Sequence, residues 1–206
     1  MKIIKEWYKE KKYTAGNHRN FIGGAWDEIG KLQFDFLLRQ GVKKNHKVLD
    51  IGCGCFRLGV RLIPYLDEGN YYGVDIVEAL LEDGKNKELQ EDVEDTKKPN
   101  LLANGDFEFY KFNATFDYMI AQSVFTHLPL DRVNQCLAEA KKCLHEESVF
   151  FATIFEAPSR STTTNCEPYY VHPSFYEELA RDNDLKFEYI GEWSHPRNQR
   201  LIKFSI

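Results

Sequence analysis

The chain has 206 residues, 43% of them hydrophobic and 29% charged, which is enough to bury one sizeable core and fits a single domain over residues 1–206. Its net charge is -5 with Lys and Arg scattered among Asp and Glu, so no basic stripe points to duplex nucleic acid or an anionic membrane as a partner. No charged leader precedes a short apolar stretch and nothing approaches the length of a membrane span, so the expectation is a cytoplasmic protein acting on a small or glycan acceptor.

Residues 25–40 carry Trp26, Ile29, Leu32 and Phe36 at helical spacing, with Gly41 as a stop. Residues 47–51 (KVLDI) form a short apolar strand that breaks into Gly52-Cys53-Gly54, after which Leu58, Leu62 and Ile63 resume a helical pattern. A second strand over 71–74 ends in Asp75, and Val77, Leu80 and Leu81 begin another helix that runs into a charged stretch, 82–98, read as partly loop. Strands follow at 101–103 and 116–122, then a helix over 131–144 with Val133, Cys136, Leu137, Ala140, Cys143 and Leu144 on one face, then an apolar strand at 149–155. A Ser-, Thr- and Pro-rich loop over 156–172 is long enough to be a lid, and a helix starts at Pro173. Residues 186–193 and 199–206 read as a terminal hairpin. Strands alternating with helices predict an α/β fold, a doubly wound, mostly parallel sheet into which the hairpin brings an antiparallel last strand.

The five cysteines are an odd number, and Cys136 and Cys143 share an apolar helix face, which favours buried thiols over a disulfide framework. Cys53 and Cys55 have no second Cys or His pair at zinc-ligand spacing, so no metal site is expected.

VLDIGCGCF places Asp50 at the end of the first strand and two glycines in the turn, where this fold class binds nucleotides. Asp75 ends the next strand, 21 residues after Gly54, in position to accept ribose hydroxyls. Position 57 is Arg, so the third glycine of a dinucleotide fingerprint is missing. The Asp50 carboxylate would repel a diphosphate but suits an ammonium or sulfonium group, which favours S-adenosylmethionine over NAD.

VLDIGCG, YYGVD and FDYMIAQSVFTHLP, followed by a helix and an apolar strand, resemble the class I S-adenosylmethionine-dependent methyltransferases over about residues 21–206. GGAWDEIGKLQFDFLL, IGCGCFRLGVRLIPYL, QSVFTHLPLDRV and EWSHPRNQ are similar to bacterial methyltransferases associated with glycan and surface-polysaccharide assembly. The resemblance implies that family's Rossmann-like, seven-stranded sheet. It also implies that Gly52, the backbone of Cys53, and Gly54 approach the methionine and ribose part, that Asp75 binds the ribose, and that Ile76, Asp106 and Phe107 hold the adenine. Gln122 and Ser123 would lie beside the methyl group. Where the family often has a third glycine, this chain has Phe56, which is expected to narrow the methionine pocket.

For the acceptor, His127 follows the fourth strand and is the first candidate general base, with loop anchoring as its alternative role. Glu156, at the end of the fifth strand, and His195, in the terminal hairpin, are the other catalytic candidates. Trp193, Arg197, Asn198 and His172 are expected to bind substrate, Trp193 with a flat face and Arg197 by gripping a phosphate or carboxylate. His172 has an alternative role in starting the Pro173 helix. Residues 1–24 are expected either to be mobile or to bring Tyr13, His18 and Arg19 over the methionine carboxylate, Gly23 and Gly24 acting as the bend before Trp26.

The fourth strand ends in Ala-Gln-Ser-Val instead of the Asn-Pro-Pro-Tyr type of amine methylation, and no carboxylate cluster stands there for a divalent ion. The expected function is therefore metal-independent O-methylation of a sugar or sugar-linked group in surface-polysaccharide biosynthesis. The alternatives are methylation of a small amine or carboxylate metabolite, nicotinamide-dependent redox chemistry, and a non-catalytic cofactor-binding subunit.

Overall fold

A computed structural model describes Tyr13 and residues 16–206. Contacts cluster into two compact units, one ending at Asp106 and the other spanning Phe107–Ile206.

The first unit opens with α1 (His18–Phe21) and α2 (Trp26–Arg39). Helix α2 has Asp27 and Glu28 in its first turn and Arg39 in its last, matching the helix dipole at both ends. Its buried face is Ile29, Gly30, Gln33, Phe36 and Leu37, turned slightly from the predicted Trp26–Leu32 line. The turn is set by Gly30, where a Cβ would lie 2.5 Å from the Arg57 carbonyl, so the helix rests directly on the loop after the first strand. Strands β1 (Val48–Ile51) and β2 (Tyr71–Asp75) are buried along their whole length, as continuous apolar runs in a parallel sheet should be. They enclose α3 (Gly59–Tyr65), and β2 is followed by α4 (Glu78–Asp83). β3 (Asn100–Ala103) pairs with β2, giving the order β3-β2-β1, all parallel.

The charged stretch expected to be partly loop contains a π-helical turn, Gly84–Glu88, and α5 (Val93–Lys97). Long-range contacts order it: Val93 is buried, Lys97 Nζ donates to the Leu66 carbonyl at 2.7 Å, and the Gly69 N–H donates to the Lys97 carbonyl at 2.8 Å. None of these partners is visible in a local sequence window.

In the second unit, β4 (Tyr118–Ala121) leads to α6 (Leu130–Lys141), which buries Val133, Cys136, Leu137 and Ala140 as the spacing predicts. β5 (Val149–Glu156) runs parallel to β4, and the 156–172 loop contributes the two-residue strand β6 (Tyr170–Val171), parallel to the end of β5. α7 (Pro173–Asp182) precedes the hairpin of β7 (Lys186–Gly191) and β8 (Arg200–Ser205), and the order is β4-β5-β8-β7. β8 is antiparallel to both β5 and β7, so β7 runs in the direction of β5 and residues 192–199 emerge beside the ends of β4 and β5. The core here is aromatic: Phe125 stacks on Tyr176 at 6.1 Å and packs edge-on to Phe150, which meets Phe204 at 5.7 Å. Among the described residues there are eight strands, one more than the seven expected, and β6 is the addition.

Candidate active site

In the first unit, the glycine turn connects β1 to α3 and is tied to the end of β2. The Asp75 Oδ2 accepts the Gly54 N–H at 2.9 Å and Oδ1 accepts the Val77 N–H at 2.8 Å. Gly54 has φ +55°, a backbone region that favours glycine, and a Cβ there would stand 2.9 Å from Ile22. Burial raises the Asp75 carboxyl to about 6 against the opposing pull of the N–H groups of Val77, Gly54 and Ile76. Asp50 is more deeply committed to the protein: its Oδ2 accepts the Tyr71 hydroxyl at 2.9 Å, and burial lifts it to about 7 although Tyr71 and Arg57 lower it.

The remaining first-unit candidates fall around this turn. Cys53 and Cys55 are buried thiols, and burial pushes Cys55 up to about 12, so neither is an available nucleophile. A Cβ on Gly73 would lie 3.0 Å from Cys53 Sγ, which explains a glycine in the middle of β2. Ile76 is half-buried and lies over Gly105, and Asp106 closes a tight turn after β3 in which its N–H donates to Asn104 Oδ1 at 2.9 Å.

Phe56 is fully buried at φ +70°, so the chain keeps the glycine-like conformation of that position with a large side chain. Its ring meets Tyr71 edge-on at 6.3 Å and occupies the space over Gly84, where a Cβ would lie 2.6 Å from the ring. Gly84, which sequence reading did not single out, provides the room.

Residues 16–24 cover the turn. Arg57 donates to the carbonyls of Gly24 and Ile22, His18 and Arg19 hydrogen-bond Glu88, and Arg19 reaches both its oxygens at 2.6 and 2.7 Å. Burial raises Glu88, but the hydrogen bonds from Arg19 and His18 outweigh it and hold the carboxyl below its ordinary value. Arg19 also lies over the Trp26 ring at 4.6 Å, and the Tyr13 ring meets Phe21 at 5.3 Å. The expectation for residues 1–12, 14 and 15 lies outside the described residues.

In the second unit, the ends of β4 and β5 and the 192–199 loop share a buried polar network. The Ser123 N–H donates to Thr153 Oγ1 at 2.7 Å, that hydroxyl donates to Gln199 Oε1 at 2.8 Å, and Gln199 Nε2 donates to Ser123 Oγ at 2.8 Å. Gln122 joins through Ser123 Oγ at 2.6 Å and lies 3.1 Å from His195 Nε2. His195 is 5% exposed, accepts the Arg197 N–H at Nδ1, and stacks on Trp193, whose indole donates to the Gln199 carbonyl. Sequence reading missed Thr153 and Gln199, since an interior Thr on an apolar strand and a loop Gln carry no signal of their own. Phe107, Ser123 and Asn198 have φ of +59°, +57° and +54°, a region that few non-glycine residues adopt. Arg132 lies over the Phe107 ring at 4.9 Å.

A cleft of about 260 Å³ opens among Phe155, Glu156, Tyr170, Arg197, Asn198 and Arg200. Phe155 and Tyr170 stack at 5.0 Å, and Glu156 accepts the Tyr189 hydroxyl at 2.7 Å with Arg200 3.5 Å away. His127 lies in the turn Phe125–His127, with Nδ1 hydrogen-bonded to Glu167. His172 caps α7 by accepting the Ser174 N–H.

Residues 49–150 match the methyltransferase domain family. Over that stretch, just under half of its length, the chain is similar to that family. The fold is shared with a magnesium protoporphyrin IX methyltransferase from Synechocystis PCC 6803, at 18% identity and a TM-score of 0.65 over 98% of this chain and 90% of that one. A S-adenosylmethionine-dependent methyltransferase from Clostridium acetobutylicum gives the same TM-score at 13% identity, covering 98% and 97%. A glycopeptide N-methyltransferase crystallised with S-adenosylmethionine gives 0.64 at 12% identity, covering 86% and 94%. The expected fold class, a mostly parallel Rossmann-like α/β sheet with antiparallel final strands, is the one these methyltransferases share.

Proposed function

We propose that the chain is a S-adenosylmethionine-dependent methyltransferase that O-methylates a sugar or sugar-linked hydroxyl, as in surface-polysaccharide assembly, without a metal ion. The observation that carries the cofactor reading is Asp75: a buried carboxylate at the end of β2, bonded to the Gly54 N–H of the glycine turn, where it can accept a ribose hydroxyl. Asp75, beside the glycine turn and ionised above about pH 6, suits a cationic adenosine derivative better than a pyrophosphate.

When bound, S-adenosylmethionine supplies an electrophilic methyl group. The chain's own residues have to align the acceptor, exclude water and remove a proton. The cleft beside β5 offers a stacked aromatic pair for a ring face, with Arg197, Asn198 and Arg200 for hydroxyl and anionic substituents. His127 is the proton acceptor of the proposal. Trp193 and His195, packed on one another, hold the loop that carries Arg197 and Asn198. The arginines also favour the second reading, a carboxylate metabolite as acceptor.

Calorimetric titration with S-adenosylhomocysteine and, separately, NADH tests the cofactor. Micromolar binding of S-adenosylhomocysteine alone is expected, and binding of NADH alone would replace methyl transfer by redox chemistry. Mass spectrometry of nucleotide sugars incubated with enzyme and S-adenosylmethionine then separates the acceptors: a methyl ether supports the sugar reading, and methyl esters only from carboxylate metabolites would overturn it.

A further inference from the structure

We propose that Glu167 is a positioning residue for His127, delivered by the same stretch of chain that walls the acceptor cleft; this rests on the reading of His127 as the proton acceptor. Glu167 lies 40 residues beyond His127, in the loop between β5 and α7, and its Oε1 meets His127 Nδ1. The pair is partly exposed, and by itself would be an ordinary surface ion pair of little weight. Its setting is not ordinary. Two residues on, the Tyr169 N–H donates to the Thr126 carbonyl at 2.9 Å, so the loop meets the backbone of residue 126 and the ring of residue 127 together. One residue further, Tyr170 enters β6, pairs with Phe155 and stacks on its ring. Thr164 ties the other arm of the loop across, its N–H donating to the Tyr170 carbonyl and its hydroxyl accepting the Tyr170 N–H, both at 2.8 Å. Glu167 is therefore placed by backbone hydrogen bonds on one side and by a strand on the other.

A carboxylate on Nδ1–H keeps the imidazole in the tautomer whose lone pair is on Nε2. When an acceptor hydroxyl gives its proton to Nε2, the O–H bond breaks, its electron pair stays on the acceptor oxygen and an Nε2–H bond forms. The imidazolium so made is compensated by Glu167. Tyr170 at the cleft and Glu167 on the base are three residues apart, so seating this one segment completes the acceptor wall and orients the base.

The test is ¹⁵N NMR of the imidazole nitrogens in the full chain, with the His127 signals assigned by their loss in His127→Gln. The wild type is expected to show His127 protonated at Nδ1, and Glu167→Ala to shift it toward the Nε2–H tautomer that free imidazole prefers. Should Glu167→Ala fail to fold, Glu167→Ser, loop-compatible and too short to reach the ring, takes its place. With a hydroxyl acceptor that the wild type turns over, kcat should fall about 10²-fold with the KM for S-adenosylmethionine unchanged. An unchanged tautomer, or an unchanged kcat, overturns the proposal. Titration of both proteins with S-adenosylhomocysteine keeps the two readings apart: no binding by the wild type sinks the cofactor assignment, while the tautomer still decides Glu167.

Discussion

Phe56 and Gly84 illustrate how a residue that breaks a family pattern is accommodated by a second residue. A phenylalanine at φ +70° costs about 1–2 kcal/mol of backbone strain, which its full burial against Tyr71 and Gly84 offsets. Gly84→Ala would put a methyl group 2.6 Å from the ring and should destabilise the fold by about 1–3 kcal/mol, read as a lower urea midpoint with unchanged slope. Phe56→Ala should abolish most of that sensitivity in the double variant. Asp50 and Asp75, lifted to about 7 and 6 from 3.8, hold protons in the folded chain at pH values where the unfolded chain has released them. Their contribution to stability is present below about pH 4 and is lost as pH rises through 6 to 7. Asp50→Asn, which keeps an acceptor for the Tyr71 hydroxyl, should therefore stabilise the chain at pH 8 and change little at pH 4, in urea melts at the two values. If Asp75 holds the ribose as proposed, Asp75→Ala should weaken S-adenosylhomocysteine binding by about 1–3 kcal/mol in calorimetry, because a charged acceptor is lost.

The elements meet at strand ends that sequence patterning describes poorly. β4, β5 and the loop before β8 are joined by Ser123, Thr153 and Gln199, and Thr153 Oγ1 both accepts the Ser123 N–H and donates to Gln199. Thr153→Val keeps the shape of β5 but strands the Ser123 N–H, which should cost about 1–3 kcal/mol in chemical denaturation. The same edge shows what periodicity can find. The run 149–155 announced β5 and the 131–144 pattern announced α6, since burial on one face repeats with the geometry of the element. The stretch 82–98 is partly loop, as its charge suggests, but periodicity does not show what orders the rest: Val93 is buried, Lys97 bonds to Leu66 and Gly69, and Glu88 is bonded to His18 and Arg19.

At the scale of the whole molecule, the fold is shared with methyltransferases named for a porphyrin and for a glycopeptide, so the fold does not select the acceptor. A ligand that binds only the native chain raises its stability by about 2.7 kcal/mol at one hundred times its Kd, which for a chain of this size is roughly 5–10 °C in Tm. S-adenosylhomocysteine should give that thermal shift and NADH none; the reverse would point to the nicotinamide alternative. The local sequence by itself determined the strand–turn–helix order and the places of Asp50, Gly52, Gly54 and Asp75, because buried strands must be apolar and a tight turn must have glycine. Only the tertiary structure decided that Gly84 makes room for Phe56, that Thr153 and Gln199 hold the strand ends, and that Glu167 meets His127. Each of those is a contact between residues 28 to 46 positions apart, fixed by where the backbone returns and not by any local period.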